Sequence, residues 1–229
     1  MSFHTDDPLE ETGRANGVHE LALIGRARGL YGSGLKRLFD VGVVLIMAVV
    51  WLPMVAILAA LISLDGASPF YWSERVGRGG RIFRMLKLRT MVPDADKALE
   101  RHLSRDPGAR LEWDRTQKLK CDPRITRLGR LLRKSSLDEL PQLWNVLIGD
   151  MSLVGPRPMM PNQQKLYRGK AYYFMRPGIT GAWQISVRNE SEFARRVEYD
   201  NAYFAALSFG TDLRILLGTV RVVLSGTGY

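Results

Sequence analysis

The spacing of apolar and polar positions changes character along the chain. Up to about residue 33 apolar side chains are sparse, and Asp6, Asp7, Glu10 and Glu11 mix with glycines. This predicts a flexible N-terminal tail over 1–33. Its acidic, polar start does not read as a signal peptide, which needs a basic segment followed by an apolar one. From Val41 to Leu64 the sequence, VGVVLIMAVVWLPMVAILAALISL, carries no charge. Roughly 20 apolar residues suffice for a helix to cross a bilayer. A helix apolar on every face is out of place as a core element of so small a protein. Residues 34–66 are therefore expected to insert in a membrane, with 67–229 forming a domain outside it.

Pro53 falls near the middle of the apolar run. Proline removes a backbone donor and clashes with the preceding turn, which predicts a kink or break. Lys36 and Arg37 precede the run, and Arg75, Arg78, Arg81, Arg84, Lys87 and Arg89 follow it. Basic flanks favour the cytoplasmic side. A spanning helix would leave one basic flank outside. A re-entrant hairpin broken at Pro53 keeps both inside and is the favoured reading, provided the carbonyl freed by the proline finds a partner.

Beyond the apolar run, Phe70 to Met91 reads as strand, glycine-rich turn (Gly77 to Gly80) and strand. Asp94 to Ser104 reads as a short helix, and Asp106-Pro107-Gly108 as a turn. Arg124 to Lys134 is amphipathic: Ile125, Leu128, Leu131 and Leu132 share a face, beside Arg124, Arg127, Arg130 and Arg133. Such a helix is either a solvated basic face or an element lying on an anionic membrane surface. Helices are also expected over Glu192 to Leu207 and Leu213 to Leu224. The expected fold class is α/β: a small cytoplasmic domain with amphipathic interfacial helices on an N-terminal re-entrant membrane helix hairpin, a monotopic arrangement.

Composition narrows the chemistry. Of 229 residues, 46% are hydrophobic and 24% charged, as in ordinary globular proteins. A mean hydropathy of -0.11 excludes a polytopic membrane protein. One cysteine, Cys121, excludes an intramolecular disulfide, and His4, His19 and His102 form no metal-binding pattern. The net charge of +10 points to an anionic partner. No nucleic-acid-binding motif accompanies that charge, so nucleic acid is not expected. A membrane-tethered basic module that binds nucleic acid or lipid without catalysis is the alternative to an enzyme.

Candidate chemistry concentrates between Leu132 and Pro161. Asp138 and Glu139 are followed by Pro141, which is tolerated only near a helix start, so Asp138 is expected at a helix N-terminus. There it is either a cap or a carboxylate able to attack phosphorus. Arg157 lies in Gly155-Pro156-Arg157-Pro158. Pro156 and Pro158 stiffen that loop, and a rigidly held guanidinium suits phosphate oxygens. Gly77-Arg78-Gly79-Gly80 is better read as a hairpin turn than as a phosphate nest.

These residues resemble the monotopic polyprenyl-phosphate phosphoglycosyl transferases, or bacterial sugar transferases. The matching motifs, in order, are Lys36-Arg37-x-x-Asp40, Pro53, Lys87-Leu88-Arg89-Thr90-Met91, Ser136-Leu137-Asp138-Glu139-Leu140-Pro141-Gln142, Gly149-Asp150-Met151-Ser152-x-Val154-Gly155-Pro156-Arg157-Pro158 and Arg176-Pro177-Gly178-Ile179-Thr180-Gly181. The resemblance runs from about residue 35 to the C-terminus and is greatest to short exopolysaccharide priming transferases using UDP-galactose or UDP-glucose. It implies that Asp138 attacks the sugar-bearing phosphate of a UDP-sugar, releases UMP and forms an aspartyl sugar-phosphate. Undecaprenyl phosphate then takes the hexose-1-phosphate, the first membrane step of exopolysaccharide or glycoconjugate assembly. It also implies Glu139 as base or positioning group, and magnesium held at Asp138. Arg133, Arg157, Lys87 and Arg89 become phosphate-binding candidates, while Arg176, Arg188 and Asn189 become candidates for the nucleotide region. Pro53, Pro156 and Pro158 shape the site. The expected partners are UDP-sugar, polyprenyl phosphate, membrane lipid and a second copy of the chain, at the inner face of a bacterial cytoplasmic membrane.

Overall fold

The computed structural model describes residues 29–116, 119–186 and 193–224. A short π-helical stretch, Tyr31–Leu35, leads into α1 (Lys36–Ile62). Strands β1 (Phe70–Val76) and β2 (Ile82–Leu88) follow, then α2 (Ala95–Arg105), α3 (Pro107–Thr116), α4 (Arg127–Ser135) and α5 (Gln142–Ile148). The rest is β3 (Ser152–Val154), α6 (Ala171–Phe174), β4 (Gly178–Thr180), α7 (Ala182–Ser186), α8 (Arg196–Ala205) and α9 (Phe209–Leu224). Mixed α/β character with one long apolar helix agrees with the sequence.

α1 has 27 residues, about 40 Å of helix, longer than the ~30 Å hydrocarbon core of a bilayer. It is long and apolar enough to cross a membrane, and only 11% of its most apolar window is buried. Leu45, Ile46, Val49, Val50 and Ile57 are all exposed, so α1 is not a core helix. Pro53 lies inside it, and the helix continues where a break was expected. The missing N–H affects only the bond to the Val49 carbonyl, and the turns on either side remain.

Other boundaries also differ from expectation for identifiable reasons. Asp106-Pro107-Gly108 is not a free turn but the start of α3. The Asp106 carboxylate accepts the Ala109 N–H at 3.0 Å, and Pro107 takes the first helical position, where no donor is needed. α4 begins at Arg127, not Arg124, because the Thr126 hydroxyl caps it by accepting the Gly129 N–H at 2.8 Å. α8 is shorter than expected, with a 3₁₀ turn at Phe193–Arg195 before it, and α9 starts earlier, at Phe209.

Backbone contacts divide the chain into two compact units. The first gathers the described residues up to Ile46, Glu74–Arg84 and Leu143–Val220; the second gathers Met47–Ser73, Met85–Gln142 and the chain from Arg221.

In the first unit, Val76, Met159, Tyr167 and Tyr172 form a buried core, with Tyr173, Phe193 and Val197 packed against it. The Tyr172 hydroxyl donates to the Val76 carbonyl at 2.5 Å and accepts the Met159 N–H at 3.3 Å. β3 and β4 pair in parallel, Ser152 opposite Gly178 and Val154 opposite Thr180. The chains come so close that a Cβ on Gly178 would lie 2.1 Å from the Gly155 nitrogen and 2.4 Å from the Thr180 oxygen. That contact requires glycine.

The Lys36-Arg37-x-x-Asp40 motif fastens the start of α1 within this unit. Lys36 meets the fully buried Asp212 of α9 at 2.5 Å, and Tyr31 and Tyr203 donate to the same carboxylate at 2.7 and 2.6 Å. Arg37 donates to the Val146 carbonyl and, at 2.8 Å, to the Leu147 carbonyl. Asp40 accepts the Ser152 hydroxyl at 2.7 Å and the Leu153 N–H at 3.2 Å.

In the second unit, the end of α1 is held by Arg89. Its guanidinium donates to the Ile62 carbonyl at 3.1 Å and to both Asp65 carboxylate oxygens at 2.6 and 2.7 Å. Cations at a helix C-terminus also suit the helix dipole. Tyr71 and Trp72 on β1 are exposed.

The β3–β4 contact gives a stability test. Gly178→Ala forces backbone apart and should cost about 3 kcal/mol, the range of severe overpacking. Gly210→Ala, where a Cβ meets nothing within 4 Å, should leave the melting temperature unchanged or slightly higher. Thermal unfolding of both variants in detergent checks the pair.

Candidate active site

The second unit brings together Lys87, Arg133, Asp138 and Glu139. Lys87 is the penultimate residue of β2, and its Nζ lies 2.7 Å from Glu139 Oε1 and 3.9 Å from Asp138 Oδ2. Arg133 comes from the last turn of α4. The helix can lie directly on the chain beyond β2 because residue 129 is glycine: a Cβ there would sit 2.1 Å from the Thr90 carbonyl oxygen. One turn further on, Arg133 Nε reaches the Thr90 hydroxyl at 2.9 Å.

α4 then ends abruptly. Ser136 takes a left-handed conformation (φ 57°), uncommon for a residue with a Cβ and typical of strained functional turns. The reversal leads into a single 3₁₀ turn, Leu137–Glu139, which carries the acidic pair. Asp138 was expected at the N-terminus of a regular helix; that helix, α5, instead begins at Gln142. Pro141 has no N–H to give, so the ordinary helical ladder starts after it.

Asp138 is buried, with 9% exposure. Burial raises its carboxyl above the usual aspartate range; Lys87 and Arg133 oppose that rise, and the Glu139 charge adds to it. The two cations therefore hold the carboxylate towards its ionised form in a site where water stabilises it poorly. Lys87 and Arg133 both carry donors suited to phosphate oxygens.

The remaining sequence candidates are placed as follows by their own units. Arg89 is engaged at the end of α1, as described above. Arg157 and Arg176 belong to the first unit. Arg157 is half-buried between Pro156 and Pro158, in a loop tied down where the Pro156 carbonyl accepts the Gly178 N–H at 2.9 Å. Arg196 stacks over Trp183 and Phe193, and burial, then Arg157, push its guanidinium down to about 10. Arg176 donates from Nε to the Gly149 carbonyl at 2.9 Å. Arg188 and Asn189 lie outside the described residues. Thr90, Ser136 and Asp40 have roles that motif reading did not assign. Their signal was only their place within the matched motifs.

Among the described residues, no three His, Cys, Asp or Glu side chains group as a metal cage. Magnesium commonly takes one or two protein carboxylates and completes its shell with substrate phosphates. Asp138, beside Glu139 and the cations Lys87 and Arg133, fits a magnesium ion carried with a diphosphate.

Residues 31–226 match the protein family described as bacterial sugar transferase. A UDP-galactose-lipid carrier transferase of Erwinia amylovora is 50% identical over 196 residues, covering 85% of this chain and 41% of that protein. An undecaprenyl-phosphate galactose phosphotransferase of Salmonella typhimurium is 43% identical over 196 residues, again 85% of this chain and 41% of that protein. The exopolysaccharide production protein ExoY of Rhizobium meliloti is 42% identical over 200 residues, 86% of this chain and 88% of that protein. The chain thus spans less than half the length of the first two relatives and most of the third.

The charge balance around Asp138 is directly testable. Carbodiimides react with protonated carboxyls, so labelling of Asp138 against pH, read by mass spectrometry, reports its titration. The midpoint should lie above the ordinary aspartate value of about 3.9. Lys87→Met removes a charge that lowers it, so the midpoint should rise further. Lys97→Met, at an exposed surface pair with Asp94, should leave it in place. Because burial raises this carboxyl, ionised Asp138 opposes folding, and stability is lost as pH rises through its folded value. Asp138→Asn should therefore melt no lower than the wild type at neutral pH.

Proposed function

The chain belongs to the bacterial sugar transferase family, and from that premise we propose that it transfers a hexose-1-phosphate from a UDP-sugar to undecaprenyl phosphate. The observation that carries this reading is the buried Asp138 carboxylate, adjacent to Glu139 and under the charges of Lys87 and Arg133. A poorly hydrated carboxylate, held towards its ionised form by cations, is equipped to attack phosphorus. The same cations can receive the oxygens of a transferring phosphoryl group, whose reaction depends mostly on positioning and charge neutralisation.

In the proposed sequence, an Asp138 oxygen forms a bond to the phosphorus bearing the sugar. The bond from that phosphorus to the bridging oxygen breaks, and UMP leaves with the electron pair. A phosphate oxygen of the polyprenyl acceptor then bonds to the same phosphorus, and Asp138 departs as carboxylate. Glu139, fixed by Lys87, positions the nucleophile and can take a proton from the incoming acceptor. Magnesium, held by Asp138 and the donor diphosphate, would supply further charge neutralisation.

The names of the Erwinia and Salmonella relatives favour galactose as the sugar. Membrane placement follows from α1. Its start is fastened through Lys36, Arg37 and Asp40, and its end through Arg89, each within its own unit. A long apolar helix whose two ends are anchored to polar groups suits a membrane-inserted segment. On α4, Leu131 is exposed among exposed Arg127, Arg130 and Lys134, which suits contact with an anionic membrane surface.

UMP release from UDP-galactose and UDP-glucose, measured with the detergent-solubilised chain, magnesium and undecaprenyl phosphate, tests the proposal. The wild type should turn over one sugar, and Asp138→Asn should fall by about 10³-fold or more, as expected when a covalent nucleophile is removed. Without acceptor, UMP should appear as a single burst equal to the enzyme present. Full activity in Asp138→Asn, or no burst, would overturn the covalent route.

A further inference from the structure

A cavity of about 410 Å³ lies in the first unit, beside the first turns of α1. Its volume is in the ordinary range of ligand sites. Its wall carries both cations, Arg37, Arg78 and Arg176, and apolar side chains, Leu38, Phe174 and Leu207 among them. None of these residues belongs to the Asp138 cluster.

The charges lining the cavity are unevenly matched. Lys36 is neutralised by Asp212, and Asp40 is the one acid on the wall. Arg37 and Arg176 donate to carbonyls around the C-terminal end of α5, at Val146, Leu147 and Gly149. Those bonds are to neutral groups and leave both guanidiniums charged, with further N–H donors. Arg78 is exposed in the β1–β2 turn, and among the described residues no acceptor pairs with it. Burial holds the Arg176 guanidinium below its usual range, and the neighbouring charges of Arg37 and Arg78 lower it further. Like charges lining one cavity favour an anion between them.

The apolar side indicates what the anion is attached to. Leu38 lines the cavity and is still 70% exposed on the first turns of α1, next to exposed Leu35. An opening from an arginine cluster onto the surface of an apolar helix suits a molecule with a charged head and a hydrocarbon tail.

We propose that this cavity binds the phosphate headgroup of a membrane amphiphile between Arg37, Arg78 and Arg176, with its hydrocarbon chain leaving past Leu38 along α1. The inference rests on the membrane placement of α1 but not on the chemistry assigned to Asp138. The shared ligand chemistry is a phosphate ester on a lipid. It has two sources, the polyprenyl phosphate acceptor and an anionic phospholipid.

Native mass spectrometry of the full chain released from detergent micelles tests this. The micelles are doped separately with undecaprenyl phosphate, phosphatidylglycerol or diacylglycerol. One phosphate-bearing lipid should remain per chain, and diacylglycerol should not. Arg78→Gln should weaken retention about tenfold, the loss of one charge-assisted contact. Arg81→Gln, on an exposed neighbour outside the cavity wall, should not. Retention of undecaprenyl phosphate alone makes this the acceptor's seat; retention of phosphatidylglycerol makes it a structural lipid site. Equal effects of the two arginine variants, equal retention of diacylglycerol, or full displacement of lipid by equimolar inorganic phosphate would each overturn the proposal. UMP release from the same samples separates the two ideas. Turnover without Arg78-dependent retention removes the cavity proposal alone, and retention in a chain without turnover removes the transfer proposal alone.

Discussion

A helix that is apolar on every side still has to start and stop among polar groups, and the charges that mark those points must be satisfied. This constraint organises much of the chain. At the start of α1, Lys36 and Asp40 sit one turn apart and so share a face, while Arg37 points to another. Asp212, the end of α5 and β3 supply their partners. Buried charges without partners would cost several kcal/mol each, so those elements are committed to their places by the clamp. At the far end, Arg89 closes the last turn by binding the Ile62 carbonyl together with Asp65. A motif that reads in the sequence as basic flanking charge is, in the folded chain, a set of fasteners.

The acidic pair obeys the same electrostatics with a different result. Asp138 is not fully neutralised. Lys87 is bound closely to Glu139 and stands at 3.9 Å from Asp138, while Arg133 is held by Thr90. This arrangement leaves a carboxylate that is desolvated, raised in pKa and incompletely paired. It is a poor way to stabilise a fold, and perturbed, partly paired carboxylates of this kind gather at functional sites. The left-handed Ser136 fits this view: a strained residue is tolerated where it turns the chain to present Asp138.

Close backbone approach is the other recurring device. Gly129 lets α4 rest on the Thr90 carbonyl, and Gly155 and Gly178 let β3 and β4 meet with no room for a side chain. Gly155 and Gly178, both in the matched motifs, are therefore explained by packing. The arginine in Gly155-Pro156-Arg157-Pro158 is held by a loop whose Pro156 carbonyl is tied to Gly178.

Much was legible from the sequence because its cause is local. An uninterrupted apolar run declares the long helix, β1 and β2 follow from apolar residues around a glycine-rich turn, and ordered motifs identify the family and Asp138. Local signals failed where two of them competed. Asp106-Pro107 reads as a turn but caps a helix, Thr126 delays a helix that hydrophobic spacing would start sooner, and α1 runs on through Pro53. What only the tertiary structure decided is which charges meet. Lys87 and Glu139 are 52 residues apart and Lys36 and Asp212 are 176 apart. Arg89 resembles Lys87 in sequence, two positions away and just past the end of β2, yet it caps α1. Charge acts through space and burial, and neither distance is written in the order of residues.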